Sequence, residues 1–232
     1  MDSNYNFNFS TELLEWKLRT AQEKFEDPIQ KVIQNSLDAS CTIMLRANGK
    51  TWSGSGFHIG GGLIVTAAHV APPEMMKEPY EIFVTFDGKQ MLPAIIKASE
   101  HQIDASILYC QNAESIPPVE LADSTTVKVG DIISVIGSPE GWHDTATVGR
   151  VSNVNQQLGA FAPTDAWNDI IFIDADILPG ASGGMVIGTD GKVIGSVMGI
   201  VGQQAEIGIG ERAVCPSNKI IALLQQMKKE NY

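Results

Sequence analysis

Apolar and polar residues alternate in short runs along most of the chain, and only its two ends carry a helical period. Leu13, Leu14, Trp16, Leu18, Ala21 and Phe25 fall largely on one helical stripe, with Ser10 or Thr11 as N-cap and Pro28 beyond the end. A second short helix is predicted over about Ile29 to Leu37. From Ala39 the period shortens to two. Cys41 to Arg46, a turn at Asn48-Gly49 and Thr51 to Ile59 read as a hairpin. Gly60-Gly61-Gly62 is a turn, and Leu63 to Thr66 the next strand. Glu81 to Phe86 and Gln90 to Lys97 form a second hairpin about Asp87-Gly88, and Ala105 to Cys110 is a short buried strand. Ile116-Pro117-Pro118-Val119 reads as an extended linker between two halves. Beyond it, strands are predicted at Asp131 to Ile136, Thr145 to Val154, Ile170 to Asp174, Met185 to Ile187 and, last, Lys192 to Ile200. Ser217 or Asn218 then caps a closing helix through about Met227. Many short strands with frequent turns, and helices only at the ends, predict an all-β fold of paired β-barrels.

Residues 1–9 are rich in asparagine, with Tyr5, Phe7 and Phe9 alternating. They are either a loose terminus or an aromatic strap that docks on another subunit. The length of 232 residues, 44% hydrophobic, suits one globular unit of this class. A net charge of −11 argues against nucleic acid as a partner, because phosphate binding needs clustered Lys and Arg. The charge favours basic substrates or simply confers solubility. Cys41, Cys110 and Cys215 lie far apart in apolar contexts, which predicts buried free thiols and a reducing compartment. No pair has metal-ligand spacing, and no metal or cofactor is expected. The N-terminus lacks a basic start followed by an apolar core, and no apolar run is long enough to span a bilayer. The expected location is therefore cytoplasmic, with a trimmed leader as the alternative.

Candidate chemistry concentrates in Pro179-Gly180-Ala181-Ser182-Gly183-Gly184. Glycines let backbone conformations form that a Cβ forbids. A serine among them can project its hydroxyl where backbone N–H groups also point, a nucleophile beside an oxyanion hole. Read alone, the hexapeptide is equally a Gly-Ser hairpin loop. A serine nucleophile needs a base, and the base needs an acid to orient it. Among four histidines, His69 in Thr66-Ala67-Ala68-His69-Val70 stands out, because it follows a strand and a small-residue turn. His58, His101 and His143 lack that setting and read as surface or core histidines. Asp104 opens the apolar strand Ala105-Ser106-Ile107-Leu108-Tyr109. A carboxylate there either caps a turn or is paired, and His69 needs such a partner.

The order His, Asp, Ser with these flanks resembles the chymotrypsin-like serine proteases, and more closely their HtrA (Deg) branch. Gly54-Ser55-Gly56-Phe57 with Val65-Thr66-Ala67-Ala68-His69-Val70 resembles the stretch around the base, and Asp104-Ala105-Ser106-Ile107-Leu108 the acid strand. Ala122-Asp123-Ser124, Val129-Gly130-Asp131 and Ile136-Gly137-Ser138-Pro139 resemble the opening of the second barrel. Asp174-Ala175-Asp176-Ile177 leading into Gly180-Ala181-Ser182-Gly183-Gly184 resembles the nucleophile loop, and Pro216-Ser217-Asn218 the closing segment. The resemblance covers roughly Cys41 to Met227. It implies two six-stranded antiparallel barrels with the cleft between them. An N-terminal, partly helical extension over 1–38 would precede a protease domain over 39–232. The first barrel would span about 39–115, the second about 119–215 and the closing helix about 217–229. By position, Ser182 would be the nucleophile, His69 the base and then acid, and Asp104 the orienter. The N–H groups of Gly180 and Ser182 would form the oxyanion hole, and Met198-Gly199-Ile200 the edge that pairs with substrate backbone.

Two positions depart from the family. Ala181 replaces the aspartate of digestive relatives, which excludes activation by pairing with a new N-terminus, and also the asparagine usual in the HtrA branch. Asp176 lies where the specificity pocket has its floor. An unpaired acid there would favour Lys or Arg before the cut, whereas HtrA relatives usually carry a small apolar residue. Arg212 lies near the other wall and either neutralises Asp176 or turns the preference toward acidic side chains. Glu206 to Cys215 is expected to hold an extra couple of residues. The closing helix is followed by only a few residues of this sequence, and no PDZ module of the kind many HtrA proteins carry is expected within it. The N-terminal segment would serve a homo-oligomer or an activating partner, or pack on its own barrel.

The expected function is a serine endopeptidase acting on protein or peptide substrates through an acyl-enzyme. The alternatives are a latent protease-fold binding or scaffold protein and a processing domain cut from a longer precursor.

Overall fold

In the computed structural model, residues 27–77, 79–156, 168–204 and 209–230 are described. The helix predicted from Ser10 and the Tyr5, Phe7, Phe9 run lie outside them.

Helix α1 (Pro28–Ser36) starts where Asp27 accepts a hydrogen bond from the Ile29 N–H and Pro28 occupies the first turn. It leads into strand β1 (Ser40–Ala47), where Cys41, Ile43, Leu45 and Ala47 point inward and are buried. The two-residue turn Asn48-Gly49, both residues at positive φ, joins β1 to β2 (Lys50–Gly60) with Ala47 opposite Lys50. This is the hairpin geometry an Asn-Gly pair favours. Strands β3 (Leu63–Thr66), β4 (Tyr80–Thr85), β5 (Leu92–Glu100) and β6 (Ala105–Tyr109) close a barrel in the order β1-β2-β3-β6-β5-β4.

The second barrel comprises β7 (Ile132–Gly137), β8 (Thr145–Gln156), β9 (Ile170–Ile173), β10 (Met185–Gly188), β11 (Val193–Gln204) and β12 (Ile209–Pro216). It closes in the order β10-β11-β12-β9-β8-β7. Helix α2 (Ser217–Glu230) follows, with Ile220, Leu223 and Met227 buried on the body of the protein. Two closed six-stranded antiparallel barrels with flanking helices are the expected class. The strand β12 is a difference from the sequence pattern, which ends its strands at Ile200. Ala213, Val214 and Cys215 are buried on both faces, because Val214 lies in the core of the second barrel while Ala213 and Cys215 lie in the shared cluster with Ile220, Leu223 and Met227 of α2. Such a strand does not alternate.

Each barrel has its own core, Ile43, Ile64 and Leu108 in the first and Ile133, Ile173 and Val214 in the second. A third cluster joins them, including Phe57, Val65, Ile107, Ile136, Met185 and Met198, all buried. Burying each of these large side chains is worth roughly 1.5–3 kcal/mol. This shared core fixes the barrels against each other and so fixes the two walls of the site.

Cys41, Cys110 and Cys215 are free and buried, as the apolar contexts predict. Burial pushes the Cys215 thiol up to about 12 and the Cys41 thiol higher still, so both stay protonated and unreactive. Among the described residues no helix is long and apolar enough to cross a membrane.

His58 is fully buried in β2 and its Nε2 accepts the Gly62 N–H at 3.1 Å, which requires a neutral ring. Burial holds its pKa below the ordinary imidazole value, opposed by the backbone carbonyls of Ile116 and Pro117. Above pH about 6.5 the ring is neutral in both folded and unfolded chains. Below it, the unfolded chain takes up a proton that the fold refuses, so stability falls with pH. Chemical denaturation from pH 7 to 5.5 should therefore show a steeper loss for the natural protein than for His58→Gln. The difference in slope is at most about 1.4 kcal/mol per pH unit. Equal slopes would refute the assignment.

Candidate active site

Where β3 ends, Ala67 and Ala68 turn the chain sharply, with the Val70 and Ala71 N–H groups both donating to the Ala67 carbonyl. Both alanines are fully buried. The turn throws His69 outward, its side chain 49% exposed. Asp104, by contrast, is 3% exposed and sits at φ 51° just before β6, a left-handed conformation that aspartate tolerates. Its Oδ1 accepts the His69 backbone N–H at 3.0 Å. Its Oδ2 lies 2.9 Å from His69 Nδ1. An ionised carboxylate only accepts, so Nδ1 carries the ring proton and Nε2 is left as a base. One buried carboxylate thus fixes both the backbone and the tautomer of His69.

The nucleophile loop runs from the end of β9 into β10. Its backbone groups are committed one by one. The Ala181 N–H donates to the Leu178 carbonyl at 3.0 Å, and the Gly184 N–H to the Ala181 carbonyl at 2.8 Å. The Gly183 N–H donates to Val197 at 2.8 Å, and the Val197 N–H returns to Gly184 at 2.9 Å. The carbonyls of Pro179, Gly180 and Ser182 accept from the Glu140 N–H, the Ser55 hydroxyl and the Ser55 N–H respectively. Among the described residues, the N–H groups of Gly180 and Ser182 donate to nothing. Gly183 has φ 85°, and a Cβ there would lie 2.3 Å from the Ser55 carbonyl oxygen and 2.8 Å from the Ala67 nitrogen. Only glycine brings the Ser182 loop this close to the His69 turn.

Ser182 opens onto a cleft of about 700 Å³ whose lining includes Thr147, Asp176, Leu178, Gly199, Ile200 and Arg212. Asp176 is not the unpaired floor acid expected of an open pocket. Its carboxylate is 82% exposed and lies 3.4 Å from Arg212, the neutralising contact that was the sequence alternative. Arg212 is in turn tied to the Gly210 carbonyl at 3.0 Å. An exposed pair at that distance holds loosely. Of the three edge residues, Gly199 and Ile200 line the cleft, whereas the Met198 side chain is 3% exposed in the shared core. Any part for Met198 in binding therefore falls to its backbone. From Gly199 to Val201, β11 pairs with β12 on one side, while its ladder with β10 ends at Ser196. That leaves an edge on which an extended peptide can pair.

The other histidines lie elsewhere, as expected. His58 is a core residue bonded through Nε2, His101 pairs with Glu74 at 2.9 Å, and His143 lies 3.3 Å from the Thr42 hydroxyl. Sequence reasoning gave no role to Ser55 or Glu140, although each grips the nucleophile loop. The signal for Ser55 was the glycine on each side of it, which marks a close backbone approach.

A family model described as Trypsin-like peptidase domain matches residues 54–195. The chain is 36% identical over 143 residues to a probable periplasmic serine endoprotease DegP-like from Halomonas elongata, covering 61% of this chain and 28% of that protein. It is 34% identical over 159 residues to the protein of the same description from Chlamydia pneumoniae, covering 68% of this chain and 31% of that one. The chain thus spans about a third of the length of these curated relatives. Among solved structures, the serine endoprotease from Yersinia pestis superposes with TM-score 0.72 at 20% identity, over 88% of this chain and 67% of that one. The HtrA-type protease AlgW with tripeptide gives TM-score 0.73 at 22% identity, over 86% and 63%.

Proposed function

The chain belongs to the trypsin-like peptidase domain family, and on that premise we propose that it hydrolyses peptide bonds in proteins through a serine nucleophile. The observation that carries the reading is the pair of uncommitted N–H groups on Gly180 and Ser182, interleaved with the bonded N–H groups of Ala181, Gly183 and Gly184. The Ser182 hydroxyl attacks the scissile carbonyl carbon while His69 Nε2 removes its proton. The carbonyl oxygen becomes an oxyanion held by the two N–H groups, each donor worth about 2.7–4 kcal/mol of barrier. The imidazolium, stabilised by Asp104, protonates the leaving amine, and an acyl-enzyme remains. Water, activated by the same histidine, then releases the acid and restores Ser182. The test is digestion of a diverse peptide mixture by the natural protein and by Ser182→Ala, read by mass spectrometry. Cuts made only by the natural protein support the reading. Identical mixtures favour the latent binding protein instead.

Within the cleft, Asp176 selects a Lys or Arg side chain before the cut and Arg212 competes with it. A charge-assisted hydrogen bond contributes about 1.5–3 kcal/mol. Asp176→Ala should thus lower kcat/KM on Lys and Arg peptides by about tenfold or more, and Arg212→Ala should raise it. Both should leave labelling by a fluorophosphonate unchanged. A natural protein that cuts after Asp or Glu, and loses that preference in Arg212→Ala, would reverse the assignment.

A further inference from the structure

We infer that Ser55 is a positioning residue that holds the oxyanion donors in place from the opposite barrel. This rests on the reading of Ser182 as nucleophile. Ser55 lies in β2 of the first barrel and is fully buried. Its backbone N–H donates to the Ser182 carbonyl at 2.8 Å, and its hydroxyl donates to the Gly180 carbonyl at 2.7 Å. It therefore grips the loop at the same two residues whose N–H groups are free.

The hydroxyl is used twice. It also accepts the Ser138 N–H at 2.8 Å, at the end of β7. Two residues on, the Glu140 N–H holds the Pro179 carbonyl at 3.0 Å, with Glu140 itself at φ 53°. The consequence follows from peptide geometry. A trans peptide points its C=O and N–H to opposite sides. With the Pro179 carbonyl turned to Glu140, the Gly180 N–H must face the other way. With the Gly180 carbonyl turned to Ser55, rotation of the next peptide is blocked as well, and its N–H is taken by Leu178. The two peptides that set the direction of the Gly180 N–H are thus clamped by their carbonyls, one from the β7–β8 connection and one from Ser55. Ser55 binds the two clamps together through Ser138.

The position demands a small group that both donates and accepts. A Cβ on Gly137 would meet the Ser55 Oγ at 2.8 Å, so the hydroxyl already fills its space. Alanine would leave the Gly180 carbonyl and the buried Ser138 N–H without partners and free the loop to turn. Catalysis is sensitive to such freedom, since a displacement of about 1 Å can cost on the order of 10²-fold in rate.

The test compares Ser55→Ala, Ser55→Thr and Ser55→Cys on a quenched fluorescent peptide chosen from the cuts of the natural protein. For Ser55→Ala, kcat should fall about 10²-fold, with KM within about threefold of the natural value. The rate of fluorophosphonate labelling should fall in parallel, because the phosphoryl oxygen uses the same hole. The acid limb of the pH profile should not move, since the His69–Asp104 pair is untouched. Threonine keeps the hydroxyl and should restore most of kcat, whereas cysteine, a weak donor and acceptor, should fall between. If Ser55→Ala does not fold, the order of threonine above cysteine carries the test. A kcat equal to that of the natural protein, a loss confined to KM, or threonine no better than cysteine would overturn the inference. A natural protein that neither cleaves nor labels would overturn the protease reading itself.

Discussion

Ser182→Ala is expected to lower kcat by about 10⁶-fold while leaving the fold and peptide affinity intact. The side chain lost is only a hydroxyl. The bonds that shape the loop come from the backbone of Ala181, Gly183 and Gly184 and from Ser55, none of them from Ser182 Oγ. The thermal midpoint should therefore move little. Residual hydrolysis of about 10³–10⁴-fold over water should survive, because the Gly180 and Ser182 N–H groups remain to polarise a carbonyl for attack by water. Single-turnover and steady-state rates on a cleaved peptide, with a melting curve for each protein, measure both parts. A variant that kept more than about one per cent of the natural kcat would place the nucleophile elsewhere.

The second large effect is expected at Asp104→Asn, a fall in kcat of about 10⁴-fold near neutral pH with little loss of stability. The direction follows from how the two carboxylate oxygens are used. Oδ1 accepts the His69 backbone N–H at 3.0 Å. Asparagine can keep that bond only with its amide oxygen, which leaves its NH₂ facing His69 Nδ1 where Oδ2 lies at 2.9 Å. Nδ1 must then accept, the ring proton moves to Nε2, and the base can no longer take the Ser182 proton. Alanine would lose the backbone bond as well and should also destabilise the turn. A pH–rate profile separates the two effects, since the asparagine variant should recover part of its rate at high pH. Activity within tenfold of natural would show that Asp104 is a buried cap and not the orienter.

Much of this arrangement is legible in the sequence. His69 follows a strand and two alanines, and Asp104 stands at the mouth of an apolar strand, a costly place for an unpaired acid. Both readings are about local chemistry, and the structure joins them through two short contacts. The hairpins were legible because Cys41, Ile43 and Leu45 alternate and Asn48-Gly49 marks the turn. Strand β12 was not, since its Ala213 to Cys215 half is buried on both faces and the half before it carries polar Glu211 and Arg212. Nor was the Asp176–Arg212 contact settled, as the residues lie far apart in sequence and meet only when β12 is placed beside β9. Ser55 was missed because its partners, Gly180 and Ser138, belong to the other barrel. A single residue's neighbours across a domain interface leave no periodic trace.

The central claim is that Ser182 is a nucleophile activated by His69, and intact-mass measurement after treatment with a fluorophosphonate tests it most directly. The account predicts one adduct per chain, mapped by peptide sequencing to Ser182, formed faster as His69 loses its proton and absent from Ser182→Ala and His69→Ala. An unmodified chain, or an adduct on another serine that persists in Ser182→Ala, would contradict it.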